Sequence, residues 1–240
     1  MNPNQPRFRR ILLKLSGEAL VGERAYGIDP SVLERVASEI SAVHELGVQI
    51  GIVIGGGNIF RGLQSERYGM GRVAADHMGM LATVINALAL GEALQRFGAK
   101  IRIMTAIDMI KIAEPYIRKR AVRHLSKNRI VIFGAGTGNP YFTTDTAATL
   151  RAMEIEAEVL LKATKVDAVF DSDPEKNGSA RPFAEISYTD ILKNNLKVMD
   201  LTAVSLAMDG KMPIIVFNLR KKGNILRVMR GEKIGTLINA

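Results

Sequence analysis

Short apolar runs that end in glycine alternate along this chain with longer segments of helical spacing. Ile11 to Leu15 is one such run and ends in Ser16-Gly17. Val48 to Ile54 is a near-continuous apolar stretch ending in Gly55-Gly56-Gly57-Asn58, the pattern of a strand buried on both faces. Between them, Asp29-Pro30 offers an N-cap and a first-turn proline. Val32, Leu33, Val36, Ile40, Val43 and Leu46 then recur at helical spacing before Gly47. The alternation continues with a helix from about Arg72 to Phe97, a strand over Lys100 to Thr105 and a basic helix over Arg118 to Lys127. A strand over Arg129 to Phe133 leads to a second glycine-rich loop, Gly134 to Pro140. Thr144-Asp145 opens a helix to about Ala157, and Glu158 to Lys162 reads as a strand. After a polar loop, Asp171 to Arg181, come a helix near Leu201 to Met208 and strands at Pro213 to Asn218 and Thr236 to Ile238. Strands separated by helices imply βαβ units and an α/β fold with a mainly parallel sheet. The pattern predicts one domain, with a shallow division near residue 157 between two lobes.

Composition narrows the chemistry. The chain has no cysteine, which excludes a disulfide scaffold, a catalytic thiol, an iron–sulfur cluster and a thiolate zinc site. Its three histidines, His44, His77 and His124, argue against a histidine-rich metal site. The longest uncharged apolar run, Met78 to Gly91, is 14 residues against the ~20 a membrane span needs, so it reads as a buried helix. The N-terminus lacks the apolar core of a signal peptide. A soluble, intracellular protein with no membrane partner is expected.

The formal net charge is +9, concentrated in Arg7 to Arg10, Arg118 to Arg129 and Arg220 to Arg230. Nucleic acid or a small polyanionic substrate such as a nucleotide would account for it, as would solubility alone. Aromatics make up 5% and tryptophan is absent, which gives poor material for stacking single-stranded bases.

Both glycine-rich loops follow a strand and precede a helix. That is where α/β sheets bind ligands, and where unobstructed backbone N–H groups and a helix N-terminus suit phosphate. The common signatures fail. No Walker A loop is present. Gly55 and Gly57 begin a dinucleotide fingerprint that Phe60 breaks, and Gly134 and Gly136 begin another that Asn139 breaks. Asp171, Asp173 and Glu175 start a calcium loop, but Lys176 and Pro182 replace its glycine and its bidentate glutamate. His44-Glu45 lacks the second histidine of a zincin. A nucleotide or phosphate enzyme with a different phosphate cradle remains.

Several segments, taken together, resemble the bacterial uridylate kinases of the amino acid kinase superfamily. They are Leu13-Lys14-Leu15-Ser16-Gly17-Glu18, Gly55-Gly56-Gly57-Asn58 with Phe60-Arg61-Gly62, Asp76-His77-Met78-Gly79-Met80, Gly136 to Asp145, and Leu161-Lys162-Ala163-Thr164-Lys165-Val166-Asp167. The likeness runs from about residue 9 to the C-terminus. It implies a three-layer αβα sandwich and transfer of the ATP γ-phosphoryl group to UMP, giving UDP and ADP with Mg²⁺ in cytoplasmic pyrimidine nucleotide biosynthesis. It also implies a homohexamer built as a trimer of dimers, activation by GTP and inhibition by UTP.

The resemblance also assigns residues. Lys14, Leu15, Ser16, Gly17, Gly57 and Arg61 fall at ATP positions, and Thr164, Phe170 and Asp173 at its nucleotide end. Gly56, Asp76 and the stretch Thr137, Gly138, Asn139, Pro140, Tyr141, Phe142, Thr143 and Thr144 fall at UMP positions, with residues 9–157 forming the UMP lobe and 158–240 the ATP lobe. Lys14, Arg61, Asp145 and Lys162 fall at the catalytic centre, with Lys165 a further candidate cation. Asp145 is expected to orient a lysine or hold Mg²⁺, while a helix N-cap is the plain alternative. The loop Gly22, Glu23, Arg24, Ala25, Tyr26 and Gly27, with Arg102 and Arg129, matches a GTP-effector region, although Gly91 and Gln95 stand where some relatives carry Arg and His. UMP's phosphate is already anionic, so the implied chemistry is positioning and charge neutralisation rather than proton abstraction. Rival readings are a superfamily enzyme acting on a carboxylate or carbamate, and a basic nucleic-acid-binding regulator, the latter also as a second function of the same chain.

Overall fold

A computed structural model describes residues 6–60, 69–174 and 176–239. Among these, nine strands form one sheet: β1 (Arg10–Leu15), β2 (Gln49–Ile54), β3 (Ile101–Thr105), β4 (Glu114–Pro115), β5 (Ile130–Gly134), β6 (Val159–Thr164), β9 (Glu185–Ser187), β10 (Ile214–Asn218) and β11 (Thr236–Asn239). Two further strands, β7 (Val169–Phe170) and β8 (Pro182–Phe183), make a separate antiparallel ribbon. The spatial order in the large sheet is β4-β3-β5-β2-β1-β6-β10-β11-β9. Every neighbouring pair is parallel except β10 and β11.

The central strands are buried on both faces, which their apolar runs require. Side chains alternate across the sheet. Ile11, Leu13 and Leu15 face one core with α1 (Pro30–Glu45), α2 (Arg72–Arg96) and α7 (Asn224–Met229). Leu12 and Leu160 face a second core with α3 (Arg118–Ser126), α4 (Thr144–Glu154), α5 (Tyr188–Lys193) and α6 (Leu201–Asp209). The αβα sandwich follows from those two cores. Helix α1 starts as its sequence predicts: the Asp29 carboxylate accepts hydrogen bonds from the backbone N–H groups of Ser31 and Val32.

Two expectations need correction. Helix α4 stops at Glu154 rather than near Ala157. Its end is a Schellman turn: Ala157 N–H donates to Ala152 O, and Glu156 N–H to Met153 O. Glu156 sits at φ 57° where a glycine is usual, so no glycine marked the stop. Helix α2 is not buried throughout. Ala87, Leu90 and Leu94 pack into the core, but Leu81 and Ile85 are 48% and 49% exposed, and Val73, Met78 and Leu88 share their exposure. Length and composition alone would let α2 cross a membrane, yet here it is packed on the sheet through β3 and β5.

Candidate active site

Each of the adjacent strands β1 and β6 carries a lysine near its carboxyl end, and the register places Lys14 directly beside Lys162. The preceding leucines align in the same way, Leu12 with Leu160 and Leu13 with Leu161. Both lysines project to the α4 side of the sheet and are only 8% and 6% exposed. Asp145, in the first turn of α4, lies between them. Its Oδ1 is 2.7 Å from Lys14 Nζ, and its Oδ2 is 2.5 Å from Lys162 Nζ. Burial works against a charged Asp145, but the two ammonium groups override it and hold the carboxyl well below the ordinary range. Burial pushes Lys162 down to about 8; Asp145 opposes that shift, and the Lys14 charge adds to it.

Asp145 is not the helix N-cap. Thr143 is: its Oγ1 accepts from the N–H groups of Asp145 and Thr146. The cap frees the Asp145 carboxylate to reach the lysines. Thr143 Oγ1–H donates in turn to Asp200 Oδ2 at 2.5 Å, and Thr146 Oγ1–H donates to Asp200 Oδ1. Asp200 caps α6 by accepting from Ala203 N–H. One carboxylate therefore ties the starts of α4 and α6 together behind the lysine pair, and its charge opposes the fall in the Lys162 pKa. Sequence reading missed Asp200. Its signal, an aspartate just before the predicted helix near Leu201, reads as a simple cap.

A cleft of about 390 Å³ opens between the two glycine loops. It is lined by Gly56, Gly57, Asp76, Thr137, Phe142, Thr143 and Thr144, together with Phe60, Met80 and Thr83. A Cβ on Gly56 would lie 2.7 Å from Ala82 Cβ and 2.8 Å from Gly79 O, so the loop needs glycine to press against α2. The second loop turns through positive φ at Ala135, Gly136, Gly138 and Tyr141. Thr83 fixes its start by accepting from Ala135 N–H, and Asp76 fixes its end by accepting from Tyr141 N–H at 2.8 Å. Asp76 also pairs with Arg72. Gly138, Asn139, Pro140 and Tyr141 complete this turn but do not line the cleft.

On the other side of the lysines, a second cleft of about 360 Å³ is lined by Lys14, Ser16, Lys162, Thr164 and Lys165, with Gly22, Arg24, Ala25 and Arg220 at its rim. It shares Thr164 and Lys165 with a third of about 620 Å³ that contains Phe170 and Asp173. Leu15 points into the opposite core, and its carbonyl accepts from Gly55 N–H. Gly17 is a close-approach position, since a Cβ there would lie 2.5 Å from Gly55 O. Gly57, expected with ATP, lies in the cleft of Gly56 instead. Arg61 and Glu175 lie outside the described residues. The loop 22–27 sits at the carboxyl ends of the strands, whereas Arg102 and Arg129 sit at or before the starts of β3 and β5, so one chain does not bring them together.

Among the described residues no three His, Asp or Glu side chains cluster as a metal cage. Magnesium needs none when phosphates supply most of its ligands, because one or two carboxylates then suffice. Asp145 offers such a carboxylate: it is buried beside the start of α4, with its two oxygens facing the Lys14 and Lys162 ammonium groups.

Residues 9–218 match the model of the amino acid kinase family. Among solved structures, a UMP kinase from Bacillus anthracis is 44% identical, with a TM-score of 0.94 over 97% of this chain and 96% of that one. A UMP kinase from Ureaplasma parvum is 36% identical, with a TM-score of 0.92 over 98% and 100%. A uridylate kinase from Archaeoglobus fulgidus is 27% identical, with a TM-score of 0.75 over 95% and 99%. The chain belongs to the amino acid kinase family and is an enzyme of that family.

Proposed function

We propose that this amino acid kinase family member transfers the γ-phosphoryl group of ATP to UMP, yielding ADP and UDP for pyrimidine nucleotide biosynthesis. One observation carries the reading: Asp145, next in sequence to Thr144 of the first cleft, clamps the two buried lysines that line the second. UMP occupies the cleft of Gly56, Asp76, Thr137 and Phe142 to Thr144, in the 9–157 lobe, with the turn Gly138 to Tyr141 behind it. Its phosphate faces the N-terminus of α4, where Thr144 donates to it and the helix adds partial positive charge. Asp76 repels phosphate and so accepts from the ribose hydroxyls instead. ATP lies across the other two clefts, mainly in the 158–240 lobe, with its polyphosphate along Lys14, Ser16 and Thr164 and its adenine near Phe170.

Phosphoryl transfer between two anions requires alignment and neutralisation. Lys14 and Lys162 supply fixed positive charge where negative charge builds up, and Asp145 holds both ammonium groups in place before substrates arrive. It does not serve as a base, because the attacking oxygen carries no proton that must leave. Mg²⁺ bound with ATP would neutralise the β- and γ-phosphates, with Asp145 as the protein ligand nearest to hand.

The exposed apolar stripe of α2 supports self-association, in line with a homohexamer assembled as a trimer of dimers. GTP activation, UTP inhibition and a cytoplasmic location complete the proposal. A coupled ADP-release assay with UMP, CMP, aspartate and carbamate as acceptors tests its core. UMP must give the highest kcat/KM; preference for a carboxylate or carbamate would refute it. A GTP titration that leaves rate and UMP cooperativity unchanged would remove the regulatory part.

A further inference from the structure

We propose that Asn86 is a positioning residue that sets the geometry of both nucleotide clefts at once, a role that rests on the reading of those clefts given above. Asn86 lies on the core side of α2 and is fully buried. Its carboxamide forms a reciprocal pair with that of Asn58, itself 3% exposed: Asn58 Nδ2 donates to Asn86 Oδ1 at 3.0 Å, and Asn86 Nδ2 donates to Asn58 Oδ1 at 2.7 Å. The second hydrogen of each amide goes to a backbone carbonyl. Asn86 donates to Gly55 O at 2.7 Å, and Asn58 to Gly27 O at 2.9 Å. Those acceptors fix which way each amide faces, since a flipped carboxamide would set oxygen against oxygen.

The pair reaches two loops. Gly55 begins the turn whose next residues, Gly56 and Gly57, line the acceptor cleft. Gly27 ends the loop whose Gly22, Arg24 and Ala25 rim the donor cleft. Asn58 grips Gly27 from both sides, because Gly27 N–H also donates to Asn58 O at 2.8 Å. Gly17 closes the arrangement: a Cβ there would lie 2.5 Å from Asn58 Oδ1, so no side chain can wedge between the amide pair and β1. Beyond Gly55, whose N–H still bonds Leu15 O at the end of β1, both loops are irregular backbone outside the sheet ladder. The side-chain network that joins them is buried, fully satisfied and anchored on a helix.

A residue of one cleft would shift the binding of one nucleotide. The amide pair should shift both. Asn86→Leu keeps the volume, removes every side-chain hydrogen bond of Asn86 and leaves the Asn58 amide without its partner, and we expect the KM values for UMP and for ATP each to rise roughly tenfold, the loss that one or two such bonds imply. Amide hydrogen exchange at Gly27 and Ile59, whose N–H groups bond within these loops, should accelerate by about the same factor, while core amides of α1 keep their protection. Should Asn86→Leu fail to fold, Asn58→Ala makes the same test from the other partner. Unchanged exchange at both loops, a rise in only one KM, or a lowered Tm with normal kinetics would overturn the proposal. The exchange rates involve no substrate. They judge the amide pair even if the wild-type enzyme proves to prefer another acceptor than UMP.

Discussion

Replacing Asp145 by asparagine removes the counter-ion of two buried lysines without changing the shape of the site. At separations of 2.7 and 2.5 Å, each pair attracts by about 6 kcal/mol at an effective dielectric constant near 20. Much of that is offset by desolvation of three charges and by repulsion between the lysines. Breaking such a buried arrangement from one side typically costs about 3–5 kcal/mol. For a chain of this size that is a fall in Tm of about 6–20 °C. The pH dependence carries a sharper signature. In the native protein Asp145 is held below its ordinary pKa, so its contribution is present at neutral pH and is lost only as pH falls below the carboxylate range. Lys162 titrates near 8 because burial and Lys14 lower its pKa while Asp145 raises it. Without Asp145 its pKa must fall further. Between that lower value and 10.5 the unfolded chain binds more protons at Lys162 than the folded one, so stability rises with pH. The variant should therefore be least stable below that lowered pKa, and its deficit against wild type should narrow as pH rises from there towards 8. Thermal unfolding followed by circular dichroism at several pH values measures this. A Tm within about 2 °C of wild type at pH 7, or a deficit that widens with rising pH, would refute the reasoning.

Lys14→Ala should lower kcat by roughly 10²–10³ while keeping the fold, since Asp145 retains Lys162 as its partner; near-normal turnover would remove Lys14 from the mechanism. In the wild type, kcat should decline above about pH 8 as Lys162 loses its proton, and Lys162→Arg should move that limb upward because guanidinium stays charged; an unmoved limb assigns it elsewhere. Asp76→Ala should raise the UMP KM more than the ATP KM, because Asp76 lines only the acceptor cleft and holds Tyr141 N–H there; equal effects would make it structural.

The sheet was legible because its central strands are apolar on both faces, with glycine following or ending β2 and β5, and α1 because Asp29-Pro30 announces it. Lys14 and Lys162 were marked only by the resemblance to the uridylate kinases. Each ends a Leu-Leu-Lys triplet, Leu12 to Lys14 and Leu160 to Lys162, but only the strand order β1-β6 turns that likeness into a contact, so their lateral pairing was not read. Strands of two residues such as β4, β7 and β8 have no periodicity to read. The ribbon bracketing the loop Asp171 to Arg181 was therefore invisible. The Asp145 N-cap reading failed because Thr143, two residues earlier, had the better claim to the cap, and only the cap geometry decides between them. Asn58 and Asn86 lie 28 residues apart, and nothing local to either predicts a reciprocal amide pair. The exposed face of α2 escaped notice because an apolar helix reads alike whether a core or another surface covers it.

The claim on which the rest depends is that Lys14, Asp145 and Lys162 stand between two phosphoryl groups. A crystal structure of the enzyme with UMP and a non-hydrolysable ATP analogue measures it directly. The UMP phosphate should lie against the 137–144 segment and the α4 N-terminus, with the analogue's terminal phosphoryl group beside Lys14 and Lys162. A monophosphate bound away from that segment, or a triphosphate whose end points away from the lysines, would contradict the account.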